Sequence, residues 1–99
     1  MDLTGRQKAY LRGLAHSLSP VVFVGKEGAS EAVIRKTHLE LEAHELIKVR
    51  IGDGAEDEAA TIVEALLTGT GAALAQRIGH VAVLYRKRKK GAILVFPKA

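Results

Sequence analysis

A chain of 99 residues with no cysteine is large enough for one domain with a modest core, and it excludes disulfides, thiolate metal sites and cysteine nucleophiles. Its composition, 47% hydrophobic and 26% charged with a net charge of +4, is that of a globular rather than a disordered protein. No apolar run reaches membrane-spanning length and the N-terminus lacks a signal-peptide core, so the expectation is a cytoplasmic protein with no membrane partner.

The first element is a helix. Thr4 and Gln7 have capping-box spacing, and Tyr10, Leu11, Leu14 and Leu18 form one apolar stripe. Lys8 and Arg12, four apart, lie off that stripe, and Ser19-Pro20 ends the element. A short buried strand follows, Val21–Val24, which places Phe23 and, from the first helix, Tyr10 in the core. Gly25-Lys26-Glu27-Gly28 then turns the chain into a helix capped by Ser30. A glycine loop with a lysine at a helix N-terminus can cradle an anion, although tight strand-to-helix turns use glycines for geometry alone.

The second helix runs from Glu31 to about Ala43, with Val33, Ile34, Thr37 and Leu41 inward. Glu40, Glu42 and Glu45 make its far end negative and unsuited to a polyanion. Glu45–Ile51 reads as a strand with Ile47, Val49 and Ile51 on one face and Leu46, Lys48 and Arg50 on the other. Its two cations imply a face not wholly covered by a helix, or cations that snorkel at a sheet edge. After a Gly52-Asp53-Gly54 loop, Glu56, Asp57 and Glu58 open a third helix with Ala59, Ile62, Val63, Leu66 and Leu67 inward. Gly69 and Gly71 are its stop signals. A hairpin follows: Leu74–Ile78, a Gly79-His80 turn of type II′, then Val81–Tyr85. The run Arg86, Lys87, Arg88, Lys89, Lys90 leads to an apolar segment, Ala92–Phe96, that ends at Pro97. The order α-β-α-β-α-β-β predicts an α/β fold built on one compact mixed four-stranded sheet, its first three strands parallel and the last antiparallel.

Charge is unevenly distributed along the chain. Residues 27–64 hold ten acids against four cations, whereas residues 65–99 hold seven cations and no acid. Such segregation points to a basic surface for a polyanion, or to a solvated tail without a partner. Enzyme chemistry finds no constellation. His16, His38, His44 and His80 are scattered, no serine sits in a nucleophile elbow, and no phosphate-binding Gly-Lys-Ser/Thr motif is present. His38 and Glu42 share a helix face, better explained by solvation than by a metal. A non-enzymatic nucleic-acid binder with no cofactor, metal or small-molecule substrate is the expectation. Base stacking plays little part in it, because the aromatics are few. A module that docks an acidic protein partner is the alternative.

The residues also carry a resemblance. Leu11-Arg12-Gly13-Leu14-Ala15-His16, Pro20-Val21-Val22 through Gly25-Lys26-Glu27-Gly28, His44 to Arg50, and Ile78-Gly79 through Val83-Leu84-Tyr85-Arg86 follow one another as in the CRM domain family, in particular its stand-alone bacterial YhbY-like members. The resemblance spans nearly the whole chain. It implies a single RNA-binding domain over residues 1–99, with a fold similar to the C-terminal domain of translation initiation factor three. It also implies a role with ribosomal RNA in precursors of the large ribosomal subunit. The family's GxxG loop falls on Gly25, Lys26, Glu27 and Gly28 and is likened to the loop of KH domains. Here it joins a strand to a helix, whereas the KH loop joins two helices. The expected RNA track is that loop with Ser30, extended by Lys8, Arg12, Lys48, Arg50 and Arg86, Lys87, Arg88, Lys89 and Lys90, on a monomer.

Overall fold

Thr4 caps the first helix as its spacing to Gln7 predicts. The Thr4 hydroxyl accepts from the Gln7 amide at 3.1 Å and the Gln7 side chain accepts from the Thr4 amide at 2.9 Å. The computed structural model describes residues 3–53 and 56–96, without the side chains of Glu56 and Asp57, so Gly54, Pro97 and the proposed role of those two carboxylates lie outside what is described. The first helix, α1 (Gly5–Ala15), buries Leu11 and Ala15. It stops short of Leu18, which was expected on its stripe and lies on the following turn. Serines at 17 and 19 compete for backbone bonds and Pro20 bars helix at Ser19, so the last predicted turn does not form.

The strand β1 (Val22–Val24) buries Val22 and Val24 but leaves Phe23 65% exposed. Phe23 was expected in the core, and the structure corrects this. The run Val-Phe-Val is apolar throughout, yet a strand side chain is buried only if its own face of the sheet is covered. Ser30 caps α2 (Glu31–His44), its hydroxyl accepting from the Val33 amide at 3.3 Å. Next come β2 (Leu46–Ile51), α3 (Glu56–Thr70), β3 (Ala73–Ile78) and β4 (Val81–Tyr85). Gly69 does not end α3 as expected. A Cβ there would stand 2.9 Å from Ile34 Cγ2, so this glycine lets α3 approach α2, and the helix ends one residue later. In the β3–β4 turn only Gly79 has a positive φ, 57°, which fits the predicted type II′ geometry.

The sheet order is β1-β2-β4-β3. The first three strands do point one way and β4 the other, but β4 lies between β2 and β3, so β1–β2 is the one parallel pair in the sheet. One face packs Val22, Val24, Ile47, Val49, Ala82 and Leu84 against α2 and α3. The opposite face packs Leu46, Ala75, Val83 and Tyr85 under Leu11 and Ala15 of α1, closed by Leu94 and Phe96 from the chain after β4. Phe96 sits 5.4 Å from the Tyr85 ring and 5.7 Å from that of Tyr10.

Candidate nucleic-acid interface

The strand directions sort the molecule into two poles. The C-terminal ends of β1, β2 and β3, the start of β4, the Gly25–Gly28 loop and the Gly79-His80 turn share one pole. The end of β4 and the start of the segment that follows it lie at the other.

At the first pole, Gly28 has φ 65° and closes a turn, its amide donating to the Gly25 carbonyl at 3.0 Å. The Ser30 amide bonds the Gly28 carbonyl at 2.9 Å, which aims the start of α2 at the loop. First-turn amides of a helix lack intrahelical partners and carry its positive end, so this geometry suits an anion. The loop's charge is mixed, however. Lys26, Glu27 and Gly28 line a depression of about 380 Å³ together with Glu58 of α3, and Glu31 lies in the first turn of α2.

Three cations without an ion-pair partner, Arg12, Lys48 and Arg50, border the sheet face that α1 only partly covers. Phe23, Arg50, Val81 and Ile78 form one row across all four strands, with Phe23 opposite Arg50, Arg50 opposite Val81, and Val81 opposite Ile78. Lys48, one pleat away, is half-buried, whereas Arg50 is exposed. Lys48 lines a groove of about 240 Å³ with Arg12, His16, Gln76 and Ile78. Among the described residues, none of Lys8, Arg12, Lys26, Lys48 and Arg50 has a carboxylate within salt-bridge distance. Lys8 lies one turn before Arg12 on α1, towards the end where Gln7 and Lys87 line a shared cavity.

The basic run Arg86–Lys90 emerges at the far pole. Four residue steps of β4 separate it from the glycine loop's end of the sheet, about 14 Å of strand. Two of its members make structural contacts. The Arg86 guanidinium donates to the Thr70 carbonyl at 2.7 Å, to Glu42 at 2.8 Å, and to the ring and carbonyl of His38 at 2.9 and 3.3 Å. Since arginine can only donate, His38 Nδ1 accepts and its ring proton sits on Nε2. His38 and Glu42, read from sequence as a solvated pair, are instead the socket for Arg86. Arg88 is held through its backbone. Its amide donates to Glu45 Oε2 at 2.7 Å, while the Ile93 and Leu94 amides donate to Oε1 at 2.8 and 2.6 Å.

Glu45 is therefore no surface acid at a negative helix end, as its sequence position suggested. It is fully buried and has φ 64° as the cap of α2, and it ties down residues 87–96, which form a strap across the end of the sheet. Burial pushes its carboxyl up, but the amides of Arg88, Leu94 and Ile93 and the Arg88 charge outweigh that and hold its pKa below the ordinary value. Burial and then the Glu45 charge push the Tyr85 phenol up, so the ring stays neutral beneath the strap. Lys87, Lys89 and Lys90 remain exposed. Sequence reasoning missed Phe23, His16 and Glu45. The run Val22-Phe23-Val24 is apolar throughout and carries no signal for the first, and nothing local signalled the last.

Among the described residues, no three His, Asp or Glu side chains gather to hold a metal, and no helix is long and apolar enough to cross a membrane. The model of the CRS1/YhbY (CRM) domain matches residues 3–86, α1 through the end of the sheet and Arg86. The chain belongs to the CRM domain family. It is 40% identical over 95 residues to the "Probable RNA-binding protein YqeI" of Bacillus subtilis, covering 96% of this chain and 99% of that one. With an "RNA-binding protein" of Haemophilus influenzae it shares 41% identity over 91 residues, covering 92% of each. The solution structure of a Staphylococcus aureus protein, described as a candidate RNA binder, superposes with a TM-score of 0.82 at 38% identity. It covers 97% of this chain and 100% of that one. The chain spans nearly the whole length of these relatives, and the fold it shares with the Staphylococcus aureus structure is the mixed four-stranded sheet with three helices.

Proposed function

We propose that this CRM domain is a non-enzymatic RNA-binding protein of the cytoplasm. We propose further that its ligand is ribosomal RNA in precursors of the large ribosomal subunit, the role its family resemblance implies. One observation carries the RNA reading. The glycine loop at the head of α2 opens at the same pole as Arg50, Lys48 and Arg12, three cations with no acidic partner among the described residues. The relatives' names agree in the class of ligand. The backbone of Gly25–Gly28 and the Ser30 cap hold one phosphate, and the sheet-face cations carry the next. Arg86 contributes by closing the fold rather than by touching RNA.

The test replaces Gly28 by Asp. A Cβ at Gly28 makes only ordinary contact with Ile62 at 3.7 Å, and aspartate tolerates a positive φ better than most residues, so the domain folds. The added carboxylate repels phosphate, and binding to ribosomal RNA fragments is expected to fall about tenfold or more. Wild-type affinity in the folded variant would remove the loop from the interface. Sedimentation of the protein in a cell extract, with the large-subunit precursors or apart from them, tests the assembly role. If an acidic protein displaces RNA from Arg50 and Lys48 more readily than ribosomal RNA displaces that protein, the acidic-partner alternative prevails.

A further inference from the structure

A large aromatic ring on an open sheet face is the feature that neither the fold nor the loop explains. Phe23 is 65% exposed, and Ile78, at the other end of the same cross-strand row, is 68% exposed. Between them stand Arg50, exposed, and Val81, half-buried. Three strand spacings separate the two ends, about 14 Å, enough for a flat ligand that crosses the strands. No carboxylate occurs at any strand position of this face, and the cations that border it have no partner among the described residues. A second copy of this chain fits poorly, because a symmetric contact would set Arg50 near its own equivalent. An apolar ring beside an arginine on a sheet face without strand carboxylates fits a ligand that alternates flat apolar rings with negative charge.

We propose that Phe23 is a stacking platform for an unpaired RNA base, with Arg50 on the adjacent phosphate. This rests on the RNA-binding reading above and goes beyond it. It assigns the sheet face a preference for single-stranded over double-stranded RNA, which a backbone-gripping loop alone does not confer. The geometry supplies the link, since Phe23 lies two residues before Gly25. A phosphate held by the glycine loop places the neighbouring base over β1. In a duplex that base is paired and stacked and cannot turn onto the ring, whereas in a single strand it can. The groove that holds Lys48, Arg12 and His16 then continues the strand's path along α1.

The experiment measures binding of an unstructured single-stranded oligoribonucleotide and of a duplex of equal length to the full chain and to Phe23→Ala, Phe23→Trp and Gly28→Asp. Phe23 contributes little to the core, so Phe23→Ala folds. It is expected to bind the single strand about tenfold more weakly, the scale of one lost base–aromatic stack, with duplex binding unchanged. Phe23→Trp is expected to keep single-strand affinity, and its fluorescence to be quenched by the single strand and not by the duplex. Unchanged single-strand affinity in Phe23→Ala, or an equal loss on both RNAs, overturns the platform while leaving the RNA-binding reading intact. Failure of the wild type to bind either RNA at low salt overturns that reading itself, and the platform with it.

Discussion

Glu45 holds a backbone conformation that costs a non-glycine residue about 1–3 kcal/mol, and its side chain repays that cost. Three backbone amides donate to its two oxygens in part-buried hydrogen bonds, and a hydrogen bond to a charged group contributes about 1.5–3 kcal/mol. Glu45→Gly therefore relieves the backbone and still destabilises the protein, by about 2 kcal/mol or more, as thermal or denaturant unfolding will show. The lowered carboxyl pKa has a definite sign. The folded state binds fewer protons than the unfolded one near that carboxyl. Its stabilisation is thus complete above the unfolded value, about 4.3, and is lost as pH falls through the lower folded value. In Glu45→Gln, stability at neutral pH is expected to drop and the acid limb of the stability curve to flatten. Amide exchange at Arg88, Ile93 and Leu94 reports the same loss locally. In the sequence Glu45 is one acid among ten in its segment, because burial of a charge depends on donors about fifty residues away.

At the scale of elements, most of the reading transfers, because local rules govern it. The Thr4 capping box, the Ser30 cap, the inward faces of α2 and α3 and the Gly79 turn depend on neighbours within four residues. Gly69 and Phe23 do not. A glycine late in a helix reads as a stop, yet here its missing Cβ is a packing requirement set by Ile34 on another helix. Gly69→Ala gains about 1 kcal/mol in helix propensity and meets an overpacking cost of about 1–3 kcal/mol. A net loss is expected, and it should shrink in an Ile34→Ala background, where the clashing methyl is gone. Arg86 is an element-scale clasp too, joining the end of β4 to α2 and to the end of α3. A lysine ammonium cannot reproduce that fork. Arg86→Lys is expected to cost about 1–2 kcal/mol on unfolding, with RNA affinity unchanged under conditions where both proteins are folded.

Charge is distributed differently over the whole molecule than along the chain. The acid-rich segment and the basic C-terminal run pair with each other through Glu42–Arg86 and Glu45–strap contacts. The long run of cations thus sits about 14 Å of strand away from the glycine loop. The salt dependence of RNA binding is expected to follow the poles rather than the run. Neutralising Arg12, Lys48 and Arg50 together should reduce the log–log slope by about 2, at about 0.7 per single-strand phosphate contact. Neutralising Lys87, Lys89 and Lys90 should leave it nearly unchanged. The opposite ranking would move the interface to the strap.

From the sequence by itself came the order of elements, the direction of every strand, the caps and turns, the inward faces of the helices and the candidate glycine loop. These follow from periodicity, capping chemistry and the handedness of crossovers, all of which act over a few residues or through a general rule. Only the tertiary structure decided that β4 lies between β2 and β3, that Phe23 faces outward, that Glu45 is a buried clamp and that Arg86 is bound by His38 and Glu42. Each of these depends on which surface another part of the chain covers. A side chain's solvation and partners are properties of the assembled sheet, and no window of sequence contains them.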